Sequence, residues 1–419
     1  MNLNRLLVMP CRLLLKSGRG AYSAAISQRP SHVRVQEMPF SGFVDSGALK
    51  GDEKRTAFRE AISLRGYNVV RPLGYGAFGH VTLCTGKESG APCAIKTARM
   101  KGAELAPDMA EEARKQKAEL DQMVSQMSDG LVKSFMVKSL GKLSEHIVNA
   151  SPKDGEFRLY NGRLVRRAIA ESEILDRVKQ CPFVINKKKH FISGKDLFLV
   201  TELIEGGSLS RYLASQKGGR ISEDEAKFFV KELVVALYKL GGCGVTHRDL
   251  KPSNIMIDRD GHLKLMDFGL ATLRRTNLVL ICGTPEYIPP EVLTLKTWDA
   301  PALDWYALGV LLYRFLYGKT PHDDESAQNI FLNALMSNVK FPDTAEDGHP
   351  VHISEAAKNL ILGLMRSNPT DRFTAPDVMQ HPWLEGTDWS AVEARKLEPP
   401  HVPLGTPGAY FITKHPVLQ

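Results

Sequence analysis

Cysteine is scarce in this 419-residue sequence: six residues, Cys11, Cys84, Cys93, Cys181, Cys243 and Cys282, with no C-x-x-C pair among them. Neither a disulfide framework nor a zinc site is suggested, and a reducing compartment is the simpler inference. No apolar run of about 18 residues or more occurs, so a helical membrane span is not expected. Acidic residues are missing altogether from Met1 to Gln36, where Arg5, Arg12, Lys16, Arg19, Arg29 and Arg34 lie among Leu, Ser and Ala. That is the balance of a mitochondrial transit peptide, but Pro10 interrupts the amphipathic pattern and a disordered basic tail fits as well, so cytoplasmic and mitochondrial destinations both stay open. The excess of 55 Lys and Arg over 47 Asp and Glu is spread along the chain, and no aromatic residues interleave with a basic stripe. Nucleic-acid binding is therefore not expected.

What is present is an ordinary globular composition, 43% hydrophobic and 24% charged, able to bury a substantial core and divide into two or three units. Residues 1 to about 60 carry little pattern and read as a basic extension. From Tyr67 the texture turns to short β-rich runs, "YNVVRPLGYG", "HVTLCTG", "APCAIKT" and "DLFLVTELI", between Gly and Asp turn signals, which predicts an antiparallel sheet. After Gly206 helical periods take over, as in "EDEAKFFVKELVVALYKL" and "ALDWYALGVLLYRFLYG". The expected class is α+β. A small β-rich lobe spans about 65–205, a larger helical lobe about 206–385, and a short tail 386–419. An insert over 97–164 interrupts the small lobe. Its first part, "DMAEEARKQKAELDQMVSQM", favours a helix with Met and Leu on one side, a stripe expected to pack on the domain rather than bind a ligand, and the insert could dock a protein partner or cover the small lobe. "RLYNGRLV" reads as a tight hairpin around Asn-Gly.

"LGYGAFGHV", Leu73 to Val81, sets Gly74, Gly76 and Gly79 in a G-x-G-x-x-G-x-V pattern between two strand-like runs. Such a turn lets backbone amides approach phosphates without a Cβ in the way. A dinucleotide fold uses the same glycine spacing before a helix, whereas here a strand follows. Further on, "CAIK" ends in Lys96 on another apolar strand, where an ammonium could neutralise phosphate oxygens. "THRDLKPSNIMI" then supplies His247, Arg248, Asp249, Lys251 and Asn254, and "LKLMDFG" supplies Asp267, Phe268 and Gly269. Two carboxylates and an amide on adjacent loops suit magnesium, which takes oxygen ligands and keeps several waters.

Glycine loop, strand lysine, H-R-D-x-x-x-x-N and D-F-G in this order resemble the protein kinase family over roughly residues 65–385. The resemblance implies a bilobal kinase fold and an enzyme that uses ATP and Mg2+ on Ser or Thr of protein substrates. By the resemblance, ATP would be held by Leu73, Gly74, Tyr75, Gly76, Ala77, Phe78, Gly79, His80, Val81, Ala94 and Lys96. Lys96 would pair with a glutamate of the next helix, Glu171 in "AIAESEILDRV", with Glu173 as the other register. Thr201 would back the adenine pocket, and Glu202 to Ile204 would form the hinge. Asp249 would accept the substrate proton, Lys251 would steady the transferring phosphoryl group, and Asn254 and Asp267 would hold magnesium. Glu291 of "PPE" and Arg372 of "NPTDRF" would form a buried ion pair, and Asp304 and Gly309 would brace the catalytic loop. "CGTPEY" and the closing "HPWLEGTDWSAVEARKLEPPHVP" resemble the AGC group of serine/threonine kinases.

Some features depart from that pattern. The sequence carries no Phe-x-x-Phe motif near Gln419, and 75 positions separate Lys96 from Glu171. Where relatives often carry a phosphorylated Thr or Ser two positions before the Cys, this chain has Leu280 between Val279 and Ile281. Activity is therefore expected not to need a phosphate there, with Thr276 as a displaced acceptor. Three glutamates that often line the subsite for upstream arginine are matched by Ser208, Ser253 and Arg314, so a strong preference for basic substrates is not expected. The alternative from another class is a pseudokinase scaffold; the complete set Lys96, Asp249, Asn254 and Asp267 argues against it.

Overall fold

The computed structural model describes residues 58–76, 79–99, 163–194, 196–273, 283–293, 300–323, 330, 333–334, 339–345 and 347–403. The basic stretch 1–57, Ala77 and Phe78, most of the insert, the apolar run with Thr276 and Leu280, and residues from 404 onward lie outside the described residues.

Five antiparallel strands make the small lobe: β1 (Tyr67–Gly76), β2 (Gly79–Gly86), β3 (Pro92–Arg99), β4 (Lys187–Ser193) and β5 (Asp196–Thr201), in the order β1-β2-β3-β5-β4. Alternation assigns the two faces. Cys84, Cys93, Ile95, Phe198 and Val200 point outward, where a helix over residues 58–63, α1, buries Phe58 and Ile62 against them. Each such side chain contributes about 1.5–3 kcal/mol when fully buried. Ala98, Leu197 and Leu199 point inward, toward Ala168, Ile174 and Leu175 of α2 (Arg163–Arg177). The end of the expected extension is thus part of the lobe: Phe58 packs on the Phe198 ring with centroids 6.0 Å apart.

Two boundaries of the insert differ from the sequence reading. Strand β3 continues to Arg99, and α2 begins at Arg163, so the last residues of the supposed "RLYNGRLV" hairpin are helical. The reason is burial: from Ala168 onward an apolar face at helical spacing meets the sheet, and that packing outweighs the local β preference of Leu164 and Val165.

The large lobe is built on α3 (Leu209–Ser215), α4 (Glu223–Gly242), α5 (Pro290–Leu293), α6 (Ala300–Tyr317), α7 (Glu355–Leu364), α8 (Ala375–Met379) and α9 (Trp389–Glu393). Ser222 and Glu225 close a capping box at the start of α4, satisfying amides that the first turn leaves free. Helix α6 is buried for most of its length. Gly309 lets it approach α7, since a Cβ there would fall 2.9 Å from Leu364 Cβ. Two short antiparallel pairings complete the described strands, β6 (Val245–Thr246) with β9 (Thr272–Leu273), and β7 (Ile255–Ile257) with β8 (Leu263–Leu265).

Cysteines in the described residues are free. Cys84 and Cys93 face each other across β2 and β3, and burial pushes the Cys84 thiol up to about 12. Burial likewise raises Cys181 to about 11, whereas Cys243, at the end of α4, is exposed and donates to the Arg177 carbonyl at 3.5 Å. No helix among the described residues is long and apolar enough to cross a membrane.

Candidate active site

The loop 247–254 connects β6 to β7, and α6 holds it from below. Asp304 accepts the amides of His247 at 2.7 Å and Arg248 at 2.8 Å, which fixes Arg248 in a left-handed conformation with φ 67°. Burial drives the Asp304 carboxyl upward in pKa, and those two amides and the nearby His247 oppose the rise. The imidazole of His247 donates from Nε2 to the Met266 carbonyl at 2.9 Å and accepts the Asp249 amide at Nδ1. Loop and D-F-G segment are thereby locked together by one ring.

Asp249 sits at the centre. Its Oδ2 accepts the Asn254 amide at 2.8 Å and lies 2.9 Å from Lys251 Nζ; its Oδ1 accepts the Thr284 hydroxyl at 2.8 Å. Lys251 also donates to Thr284 Oγ1 at 2.6 Å. Thr284 reaches this position because Gly283, at φ 111°, passes close to the Arg248 carbonyl, where a Cβ would stand 2.8 Å away. The sequence reading did not single out Thr284. Its signal was the neighbouring Gly283 inside "CGTPEY".

Lys96 lies on β3 opposite Val81 of β2 and points into the cleft. Its Nζ stands 2.8 Å from both carboxylate oxygens of Glu171 on α2 and 2.8 Å from Oδ1 of Asp267. Glu171, not Glu173, faces the lysine. Burial works against the ammonium, but Asp267 and Glu171 outweigh it, and the lysine pKa is raised. Asp267 is lowered despite burial, chiefly by Lys96, whereas burial leaves Glu171 raised against the same lysine. Asp267 is itself left-handed, φ 57°, which turns its carboxylate back toward β3.

Strands β1 and β2 pair as far as Gly76 with Gly79, so the glycine-rich segment is a hairpin tip. A Cβ on Gly74 would meet no atom of the described residues within 4 Å, room that a ligand could use. Leu73 and Ala94 are buried under the hairpin. Thr201 donates to the Glu202 carbonyl at 3.1 Å, and the Glu202 side chain is taken up by the Asn186 amide and by Lys264. Among the described residues, the amides of Leu203, Ile204 and Glu205 donate to no other group, as a hinge that meets a nucleobase edge requires.

Oxygen donors for a divalent cation are present. The Asn254 amide nitrogen is committed to Asp249, which leaves its Oδ1 as acceptor, and Asp267 turns only Oδ1 to Lys96. No cluster of three or more His, Cys, Asp and Glu occurs among the described residues. Two protein oxygens fit magnesium, which completes its shell with phosphates and water. Farther out, Arg372 holds Glu291 at 2.6 and 2.8 Å. Of the three positions expected to bear on substrate charge, Ser208 caps α3, Ser253 is exposed, and Arg314 is half-buried, its Nε without a partner among the described residues.

A family model described as protein kinase domain matches residues 149–384, just over half of the chain. The match begins beyond the glycine hairpin and Lys96, which the fold brings back to Glu171. Among curated proteins, the chain is 38% identical over 250 residues to a probable cAMP-dependent protein kinase catalytic subunit of Encephalitozoon cuniculi, covering 58% of this chain and 74% of that one. It is 37% identical over 248 residues to serine/threonine-protein kinase SCH9 of Saccharomyces cerevisiae, covering 57% of this chain and 29% of that one. With serine/threonine-protein kinase gad8 of Schizosaccharomyces pombe it shares 35% identity over 287 residues, 64% of this chain and 48% of that one. The chain thus spans less than half the length of the latter two. Fold, motifs and matches agree that this chain belongs to the protein kinase family, among its AGC-like serine/threonine kinases.

Proposed function

We propose that this chain transfers the γ-phosphate of ATP to serine and threonine hydroxyls of protein substrates. The observation that carries the reading is the single cluster in which Lys96 meets Glu171 and Asp267 while Asp249 is held by Asn254 and Thr284. Magnesium at Asn254 and Asp267 would neutralise charge on the phosphate oxygens. Lys96, positioned by Glu171, would hold the nonreacting phosphates. Asp249, with both oxygens fixed, would orient the substrate hydroxyl and accept its proton. Lys251 would offer its ammonium to the transferring group. Little covalent chemistry falls to the protein, so positioning and charge neutralisation supply most of the rate.

Two finer features belong to the proposal. Leucine at position 280 cannot carry a phosphate, so the segment before Cys282 would work without one there. A guanidinium at Arg314 and hydroxyls at Ser208 and Ser253 would give upstream arginine no attraction. Incubation of the bacterially expressed, phosphatase-treated protein with Mg-ATP and a degenerate peptide library tests all three statements. The expected result is phosphate on Ser and Thr, none with Asp267→Asn, and no dominant selection for basic residues two and three places upstream. No transfer by the untreated or treated protein would sink the reading. Loss only on phosphatase treatment would remove the claim about position 280.

A further inference from the structure

Three non-glycine residues have a positive φ among the described residues: Arg248, Asp267 and Arg395. The first two belong to the active-site cluster. Arg395 lies far along the chain, just after α9, where its amide closes the helix on the Val392 carbonyl. That position just past a helix end is one that glycine fills without strain, whereas a residue with a Cβ is strained there. Something must favour arginine. Its guanidinium donates to Asp258 Oδ2.

Asp258 is the first residue of the turn between β7 and β8. Its Oδ1 accepts the amides of Asp260 and His262, each at 3.0 Å, so it shapes the turn. From the other side Glu232 of α4 accepts His262 Nδ1 and the Leu263 amide. The open end of the same hairpin carries the two candidate cation ligands: Asn254 immediately precedes β7, and Asp267 follows β8 by two residues. The Met266 amide donates to the Asn254 carbonyl at 2.8 Å and joins those ends. After Arg395 the chain stays on this turn. A Cβ on Gly261 would lie 2.7 Å from Pro399 Cβ, and one on Gly206, beside the hinge, 2.5 Å from Pro403 Cγ.

We propose that Arg395, acting through Asp258, is a positioning residue that sets the β7–β8 hairpin and hence the spacing of Asn254 and Asp267 as a divalent-cation site. The inference rests on the kinase reading for the identity of that site. It explains why a strained backbone position keeps a charged side chain. Residues 395–403 then form a strap that ties the hairpin to the hinge stretch at Gly206.

Arg395→Gly separates this role from general stability, because glycine relieves the backbone strain while removing the guanidinium. Mn2+ binding to the full chain in the presence of ADP, followed by electron paramagnetic resonance, should weaken about 10-fold, as for loss of a supporting group around a metal site. Amide exchange should quicken over residues 255–266 and not in α6. Arg395→Lys and Asp258→Asn should fall between wild type and Arg395→Gly. Unchanged Mn2+ affinity with unchanged exchange would overturn the proposal. So would exchange that quickens equally in α4, α6 and the hairpin. If wild-type protein bound no Mn2+ with ADP, the kinase reading would fail, and the exchange data alone would decide whether Arg395 positions the hairpin.

Discussion

Lys96 and Glu171 are in contact at 2.8 Å across a sequence separation of 75, with Asp267 bonded to the same ammonium. The lysine is thus the point where β3, α2 and the D-F-G segment meet. Lys96→Met and Asp267→Asn should each lower kcat by at least about 10²- to 10³-fold, because each removes charge stabilisation from the phosphates. Circular dichroism should show both variants folded. Wild-type turnover in either would contradict the assignment.

Thr284 offers a finer test. Its hydroxyl bridges Asp249 and Lys251, so Thr284→Ala frees one oxygen of Asp249. A misplaced base can cost about 10²-fold, and kcat should fall toward that value while KM for ATP stays near wild type. Thr284→Ser should recover most of the rate. Equal loss in both variants would mean that the methyl group, not the hydroxyl, matters.

The pair Arg372 and Glu291 is 1% exposed on each side. Removing one partner strands a charge in the core, so Arg372→Leu should lower stability by about 3–5 kcal/mol. Urea denaturation measures it. The double variant Arg372→Leu with Glu291→Leu should recover part of the loss, and failure to do so would point to the Arg372 bond to Ala302 as the greater contribution.

His322 is buried, neither ring nitrogen has a partner among the described residues, and burial lowers its pKa from 6.5 to about 4. Above pH 6.5 the ring is neutral folded and unfolded, and it has no effect on the pH dependence. Between pH 6.5 and 4 the unfolded chain takes up a proton that the folded chain refuses, so stability falls with pH, by about 3 kcal/mol in all. His322→Phe should flatten that part of the stability curve. An identical curve would show that His322 titrates normally.

Much of this was legible in residues whose types are dictated by chemistry. Lys96, Asp249, Asn254 and Asp267 could be picked out from their motifs, and the fold pairs Lys96 with Asp267 and Asn254 with Asp249. The sheet was legible because alternation in "DLFLVT" reports burial directly. Other features depend on contacts between distant segments. Gly283 marks a turn at Thr284 but does not announce its partner Asp249, and nothing in "ARK" announces a left-handed Arg395 reaching Asp258. The start of α2 was misread for the same reason, since the sheet that holds its apolar face lies elsewhere in the chain. Helix α1 hid in low-pattern sequence because two residues, Phe58 and Ile62, do its packing.

The unequal burial of the cysteines makes site-selective labelling practical. Cys84 and Cys181 hold thiols displaced to about 12 and about 11, so a maleimide at neutral pH would pass them by. Cys243 is exposed and touches the last turn of α2 through Arg177. With Cys11 and Cys282 replaced by serine, a fluorophore on Cys243 would sit against the helix that carries Glu171. Its emission would then follow, in real time, each movement of that helix as nucleotide enters or leaves the cleft.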